Sequence, residues 1–436
     1  MWEYLKYKAR HNFLWERKLK EIRSFHQMDA KALREYENNR FMKIFHHACK
    51  YSAFYKRHYA EYGVNLKAVQ SMDDMGLLPQ IDKKIVRAYK DDILIGPSIF
   101  MLTGCTSGSS GKSLTVYRSY DSILTEHAYL WNFYNMCGVK FGENMVIIRG
   151  DLNRDELCRY NKYGNILYLS SYNINRENIE KYVKLLREFR PRFISGYPSS
   201  LEILSNALCR INTQLNIPIA VTSSETLHGF QREKIKTYLG ATCYDWYGNA
   251  ERTVAIEQYP SGQYYFVPGY SINEVYNSHM LTTSLFNDSF PLIRYMVNDV
   301  IELSSSTEPV IEGAKEPATI KVERILGRDD DYIHLRDGTM IGRVSKVFKG
   351  VDDLVFAQVL QDSPDYISIN IVTDNPNFDN REVMKRMRLL VGDQIDIKLN
   401  LVTEDKIIKT EAGKYRMVMN FLNKGTNHEM AFAVSG

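Results

Sequence analysis

The stretch Thr106-Ser107-Gly108-Ser109-Ser110-Gly111-Lys112-Ser113 restricts what this chain can be more than any other eight residues in it. Glycines let a backbone turn its N–H groups inward, and serine and threonine hydroxyls add further donors. Lys112 sets a mobile positive charge in front of them. Such a loop wraps phosphate oxygens, although the same composition also suits a solvated Ser/Gly linker. Met101-Leu102 before it and Leu114-Thr115-Val116-Tyr117 after it read as strands, which places the loop inside a fold. It is not a P-loop. That pattern requires a glycine where Thr106 stands, so phosphate chemistry needs a different set of companions.

The 436 residues suffice for two or three domains with substantial cores, and 44% hydrophobic with 25% charged residues is the balance of a soluble globular protein. No apolar run is long enough to span a bilayer, and the charged, aromatic N-terminus lacks a signal-peptide core. The six cysteines are scattered, with no C-x-x-C pair and no zinc-type spacing, so reduced thiols in a cytoplasmic protein are expected. A net charge of +4 over this length argues against nucleic acid as a partner. Its location is informative. Residues 1–24 carry seven basic and three acidic side chains, which accounts for the whole excess. Trp2, Tyr4, Leu5, Phe13, Leu14 and Trp15 are interleaved with these charges. A helix of this kind packs its aromatic face on its own domain, or makes weak contact with an anionic membrane surface.

Residues 1–95 read as mainly helical, interrupted by a turn at Leu78–Lys83. From residue 96 strands and helices alternate. Met145–Ile148 is a strand. Residues 177–189 have helical spacing, with Ile179, Tyr182, Val183, Leu186 and Phe189 on one side and Pro191 as the stop. Phe193–Ser195, Ile219–Val221 and Cys243–Trp246 are strands, separated by helices over Ser199–Ile211 and up to Leu239, where Gly240 ends the second. This alternation implies a largely parallel sheet covered on both faces, with ligands at the carboxyl ends of its strands. After residue 263 the pattern is strand-rich. Residues 304–318 read as a surface loop, and the last hundred residues as a separate small α+β unit with strands Tyr366–Val372 and Ile395–Val402 flanking a helix over Glu382–Leu390.

Four more stretches bear chemistry. In Asp245-Trp246-Tyr247-Gly248-Asn249-Ala250-Glu251 an aromatic ring, a glycine turn and a carboxylate follow a strand. Tyr247 suits stacking on a base and Glu251 suits Mg2+, but a packed ring beside a solvated glutamate fits equally. Pro291-Leu292-Ile293-Arg294-Tyr295 leads to Asn298-Asp299, where the aspartate either accepts ribose hydroxyls or closes a turn. Gly327-Arg328-Asp329-Asp330-Asp331 reads as an exposed turn, and Lys409 to Arg416, with Lys414 on a glycine turn, as a basic loop.

Together, in this order, these stretches resemble the adenylate-forming superfamily of acyl-CoA synthetases. Within it the chain resembles the phenylacetate–CoA ligase branch and its CapK-type capsular polysaccharide biosynthesis relatives, from about residue 40 to residue 416. The resemblance implies an α/β fold: a large N-terminal domain with mostly parallel, helix-flanked sheets and a β-rich section, then a small mobile α+β C-terminal domain. Residues 1–95 would be the helical part of the large domain, 96–327 its adenylate-forming core, 328–332 the hinge and 333–436 the small domain. It implies ATP-dependent activation of a carboxylic acid as an acyl-adenylate, with pyrophosphate release and then acyl transfer, to coenzyme A or to an amine. A catalytically silent nucleotide-binding protein is the reading from another class.

By motif position, Ser107, Ser109, Ser110 and Lys112, with Thr106, Gly108 and Gly111 shaping the loop, would hold the β- and γ-phosphates of ATP. Glu251 would ligate Mg2+. Tyr247, beside Gly248, would stack on adenine, and Asp245 would take its exocyclic amine. Ser224 and Glu225 would line the adenine and acyl pocket. Asp299 would bind the ribose with Arg328 nearby, Asp330 would be the hinge, and Lys414 would approach the α-phosphate during adenylation. Two positions depart from the family pattern: Ala250 stands where a hydroxyl residue precedes the glutamate, and Asn298 where a glycine precedes the aspartate. Neither change removes a charged group that the mechanism requires.

Overall fold

The computed structural model describes residues 2–105, 114–149, 152, 156–171, 173–276, 278–304, 318–328, 332–336, 340–341, 344–348, 351–409 and 416–422. They form two compact units, one ending at Leu326 and one beginning at Gly327.

The first unit opens with helices Trp2–Arg10, Phe13–Phe25, Ala30–Tyr51, Ala53–Glu61 and Lys83–Ile93. Each of the middle three starts on a side-chain cap: Asn12, Asp29 and Ser52 accept backbone N–H groups of the first turn. The Leu78–Lys83 turn is fixed at both ends. Asp82 caps the helix Lys83–Ile93, and Ile81 pairs with Tyr295 of a distant strand.

Behind these helices lies a sheet of twelve strands. One half holds Met145–Arg149, Ile166–Ser170, Phe193–Gly196, Ile219–Ser223 and Thr242–Gly248 as parallel neighbours, with Cys158–Asn161 antiparallel at the edge. Their side chains sort by the two-residue period of a strand. Met145, Phe193, Ile219 and Val221 face a core shared with helices Phe13–Phe25 and Tyr120–Met136. Val146, Ile148, Ile194 and Ala220 face the core under helices Ile179–Phe189, Pro198–Arg210 and Gly229–Leu239. Strands buried on both faces are what helix-covered parallel sheets require. The helix Ile179–Phe189 buries Ile179, Tyr182, Val183 and Leu186, as its spacing predicts, and Gly240 (φ 66°) closes Gly229–Leu239.

In the other half, beginning at Ala255–Gln258, the pairings of Ala255–Gln258, Tyr264–Phe266 and Lys321–Arg328, and of Ser271–Tyr276, His279–Ser284 and Tyr295–Leu303, are antiparallel. The sheet is therefore parallel only up to Thr242–Gly248. That strand lies at the change of direction, where consecutive strands are joined by short loops instead of helices.

The second unit is a four-stranded mixed sheet with Tyr366–Thr373 and Leu354–Ser363 at its centre, flanked by Asp396–Leu401 and Val418–Asn420. The helix Arg381–Val391 buries Val383, Met387 and Val391 against Val359, Ile367, Ile369 and Ile371. This is a core of its own. Of the 304–318 stretch, residues 305–317 lie outside the described residues.

Candidate active site

The strand Thr242–Gly248 delivers the aromatic-glycine-carboxylate motif to the sheet's change of direction. Gly248 ends it, and a Cβ there would come within 3.2 Å of the Trp246 indole nitrogen. The turn that follows is closed by Asn249. Its Oδ1 accepts from the Thr253 N–H at 2.9 Å, and its Nδ2 donates to the Thr253 hydroxyl at 2.8 Å. Glu251 sits within this closed turn, just before Arg252 at φ 57°.

Asp299 arrives from the strand Tyr295–Leu303. Its pairing with His279–Ser284 is regular up to Val297, which faces Met280, and resumes at Val300, which faces His279. Asn298 and Asp299 thus occupy a bulge. Bulges re-aim side chains beside functional sites. Asn298, where the sequence resemblance implies a glycine, is exposed at this bulge.

Two hydrogen bonds cross between the segments. The Tyr247 phenol donates to Asp299 Oδ2 at 2.6 Å, and the Tyr295 phenol donates to Glu251 Oε1 at 2.8 Å. Each segment lends a tyrosine to the other's carboxylate. The two acids expected at ribose and metal are therefore tied into one array. Tyr295 received no role from the sequence, although it lies in the Pro291–Tyr295 stretch. No local sequence signal marks it, because its partner Glu251 lies 44 residues away.

Arg118 is a second residue that the sequence did not single out. Strands Leu102–Cys105 and Thr115–Arg118 pair antiparallel with Cys105 opposite Thr115, so residues 106–113 join the two arms of a hairpin. The Arg118 guanidinium lies against Gly104, where any Cβ would collide with it, and donates to the Ala250 carbonyl. The hairpin is thereby attached to the residue preceding Glu251. Burial, then the neighbouring Arg252, lowers the Arg118 pKa.

Residues 334–421 match the family described as the CapK C-terminal domain. Protein CapK of Staphylococcus aureus is 26% identical over 404 residues, covering 88% of this chain and 89% of that protein. Indoleacetate–lysine synthetase of Pseudomonas savastanoi is 25% identical over 243 residues, covering 52% of this chain and 60% of the synthetase. Among solved structures, 2-hydroxyisobutyryl-CoA ligase in the postadenylation state in complex with 2-HIB-AMP aligns with a TM-score of 0.67 at 16% identity, over 90% of both chains. The chain is a CapK homologue with the adenylate-forming ligase fold.

In this CapK homologue two of the expected site carboxylates accept hydrogen bonds from the protein itself. Asp245 was expected to accept the adenine amine. Instead it is buried in the sheet, with Oδ1 accepting from the Thr222 hydroxyl at 2.5 Å and Oδ2 from the Tyr264 phenol at 3.3 Å. Burial pushes its pKa up to about 6, against these hydrogen bonds. Glu225 was expected at the adenine and acyl pocket. Its carboxylate accepts from the Ser199 N–H and hydroxyl, each at 3.0 Å, at the start of the helix Pro198–Arg210. An acid there meets unpaired N–H groups and the positive end of the helix dipole. Ser224 beside it is held at φ 70°, a left-handed backbone.

Several expected residues lie outside the described ones: Thr106, Ser107, Gly108, Ser109, Ser110, Gly111, Lys112, Asp330 and Lys414. Arg328 is placed only as the last residue of the strand Lys321–Arg328. Among the described residues no group of three His, Cys, Asp or Glu could hold a metal ion. Glu251 alone fits Mg2+ only in the mode where one carboxylate and substrate phosphates share the ion.

Proposed function

We propose that the chain is an ATP-dependent carboxylate ligase that forms an acyl-adenylate and then transfers the acyl group. The observation that supports this best is the crossed pair of tyrosine–carboxylate bonds, which joins Glu251 and Asp299 at the sheet's change of direction. A substrate carboxylate oxygen attacks the α-phosphorus of ATP. The new O–P bond forms as the bond to the β-phosphate bridging oxygen breaks, and pyrophosphate leaves. Negative charge spreads over the phosphoryl oxygens, so the site must supply fixed positive charge and donors. Lys112 and the serines of 106–113 take the β- and γ-phosphates, and Lys414 takes the α-phosphate and substrate carboxylate. Glu251, oriented by Tyr295, would hold Mg2+, which would supply neutralisation of phosphate charge. Asp299, oriented by Tyr247, takes the ribose hydroxyls, and the Tyr247 ring lies beside the base. Arg328 flanks the ribose.

Coenzyme A is the acceptor in the leading reading. A second reading, transfer to an amine, is favoured by the similarity to indoleacetate–lysine synthetase. On the sequence resemblance to capsular polysaccharide biosynthesis proteins, the substrate belongs to surface-polysaccharide assembly. Pyrophosphate release would be followed over a panel of carboxylic acids, with coenzyme A or hydroxylamine as acceptor. Carboxylate-dependent release with thioester formation is expected. Hydroxamate without consumption of coenzyme A would replace the thioester reading with the amine one, and release with no carboxylate in the panel would sink both.

A further inference from the structure

The helices Trp2–Arg10 and Phe13–Phe25 present a surface that the ligase reading does not use. Phe13–Phe25 buries Trp15, Leu19, Ile22 and Phe25, one full apolar stripe, against the large unit. Its remaining apolar residues point out. Phe13 is 75% exposed and Leu14 51%, and Leu5 on the preceding helix is 51% exposed. Neither Phe13 nor Leu14 is held out by fraying. Asn12 caps the helix through the Trp15 N–H and donates to the Tyr120 phenol at 2.7 Å, while Lys18 pairs with Asp121 at 2.8 Å.

Around these side chains the exposed charge is mostly positive. Lys6, Lys8, Arg10, Arg17, Lys20 and Arg23 are exposed, against exposed Glu16 and Glu21. The patch continues onto the sheet edge. Tyr4 packs on Tyr163 with ring centroids 5.3 Å apart, Lys162 lies over that ring, and Tyr160 is exposed on the edge strand Cys158–Asn161. Protruding apolar side chains ringed by cations and tyrosines match the interfacial zone of a bilayer, where rings sit at headgroup depth and cations meet anionic lipid. A soluble polyanion would satisfy the cations but would leave Phe13 and Leu14 in water. Among the described residues no helix is long and apolar enough to cross a membrane, so the contact is peripheral.

We propose that this corner docks the protein on an anionic lipid surface, with Phe13 and Leu14 inserted and the surrounding lysines and arginines on the headgroups. The proposal is independent of the ligase reading. The test is co-sedimentation of the full chain with vesicles of phosphatidylcholine alone or mixed with phosphatidylglycerol. Binding to the mixed vesicles only, weakened by high salt, is expected. Phe13→Ser with Leu14→Ser should weaken it on the order of tenfold, as should Arg17→Glu with Lys20→Glu. Both pairs are exposed, so thermal unfolding should match the parent. Equal binding to both vesicle types, no binding, or heparin binding in place of vesicle binding would overturn the proposal. So would vesicle binding that survives the Phe13/Leu14 change.

Discussion

Tyr295 reaches Glu251 through a single oxygen, so Tyr295→Phe removes one hydrogen bond and leaves the buried ring in place. A hydrogen bond to a charged group contributes about 1.5–3 kcal/mol, so the Mg2+ requirement for pyrophosphate release should rise about tenfold or more. The midpoint of thermal unfolding should move little. Mn2+ binding to the ATP complex, followed by electron paramagnetic resonance, would separate a displaced metal ligand from a general loss of activity. Tyr247→Phe keeps the ring and removes its hydrogen bond to Asp299, so KM for ATP should rise more than kcat falls. Equal changes in both would count against the ribose role. Asp245 makes a prediction about stability. Its folded pKa, near 6, lies above the ordinary 3.8, so the folded chain takes up a proton before the unfolded chain does. Stability is therefore fullest below the unfolded value and declines as pH rises from about 4 to about 6, by on the order of 3 kcal/mol. Asp245→Asn should flatten that window in urea melts at stepped pH. The motif containing Asp245 was legible in the sequence. That its oxygens belong to Thr222 and Tyr264 was not, because both donors come from other strands.

The N-terminal helix Phe13–Phe25 is followed at once by His26, whose Nε2 lies 2.6 Å from Glu257 Oε1 on the strand Ala255–Gln258. Burial disfavours the imidazolium, but the Glu257 charge and hydrogen bond outweigh it, and the His26 pKa is raised. Stability from this pair is complete below the usual histidine value and is lost as pH rises through the raised one. Glu257 is fully buried, so His26→Ala leaves a carboxylate without its cation and should cost about 3–5 kcal/mol. His26→Ala with Glu257→Gln should recover much of that in chemical denaturation. Full additivity of the two changes would show that they do not act as a pair. The helical reading of residues 1–95 covers Phe13–Phe25, whereas the strand Ala255–Gln258 has no counterpart in the sequence reading. Four of the parallel strands were legible as apolar runs between helices, and Ile166–Ser170 was not. The antiparallel half of the large sheet was read only as strand-rich, since strand direction depends on partners distant in sequence. Leu354–Ser363, central in the second unit, carries Gln358 and Gln361 fully buried. Those polar residues break the apolar pattern that would mark it.

At the scale of the whole molecule, the groups assigned to the nucleotide divide between two units with separate cores. Glu251 and Asp299 belong to the first, and Lys414 to the sequence of the second. A division of this kind suits a two-step reaction, because the group that completes one half-reaction can leave before the next. Lys414→Ala should therefore retain ATP binding by the first unit while pyrophosphate release falls about a hundredfold or more, the scale of losing one preorganised donor at a developing charge. Asp330→Pro should do the reverse, sparing adenylation and blocking acyl transfer, because proline fixes the backbone at the residue to which the family resemblance assigns the hinge. Single-turnover assays with ATP alone, and then with acceptor added, read the two steps separately. A Lys414→Ala enzyme with unchanged pyrophosphate release would remove that lysine from the chemistry. Parallel loss of both steps in Asp330→Pro would make the connection between the units a structural joint, leaving the change of partner groups to be explained within the first unit.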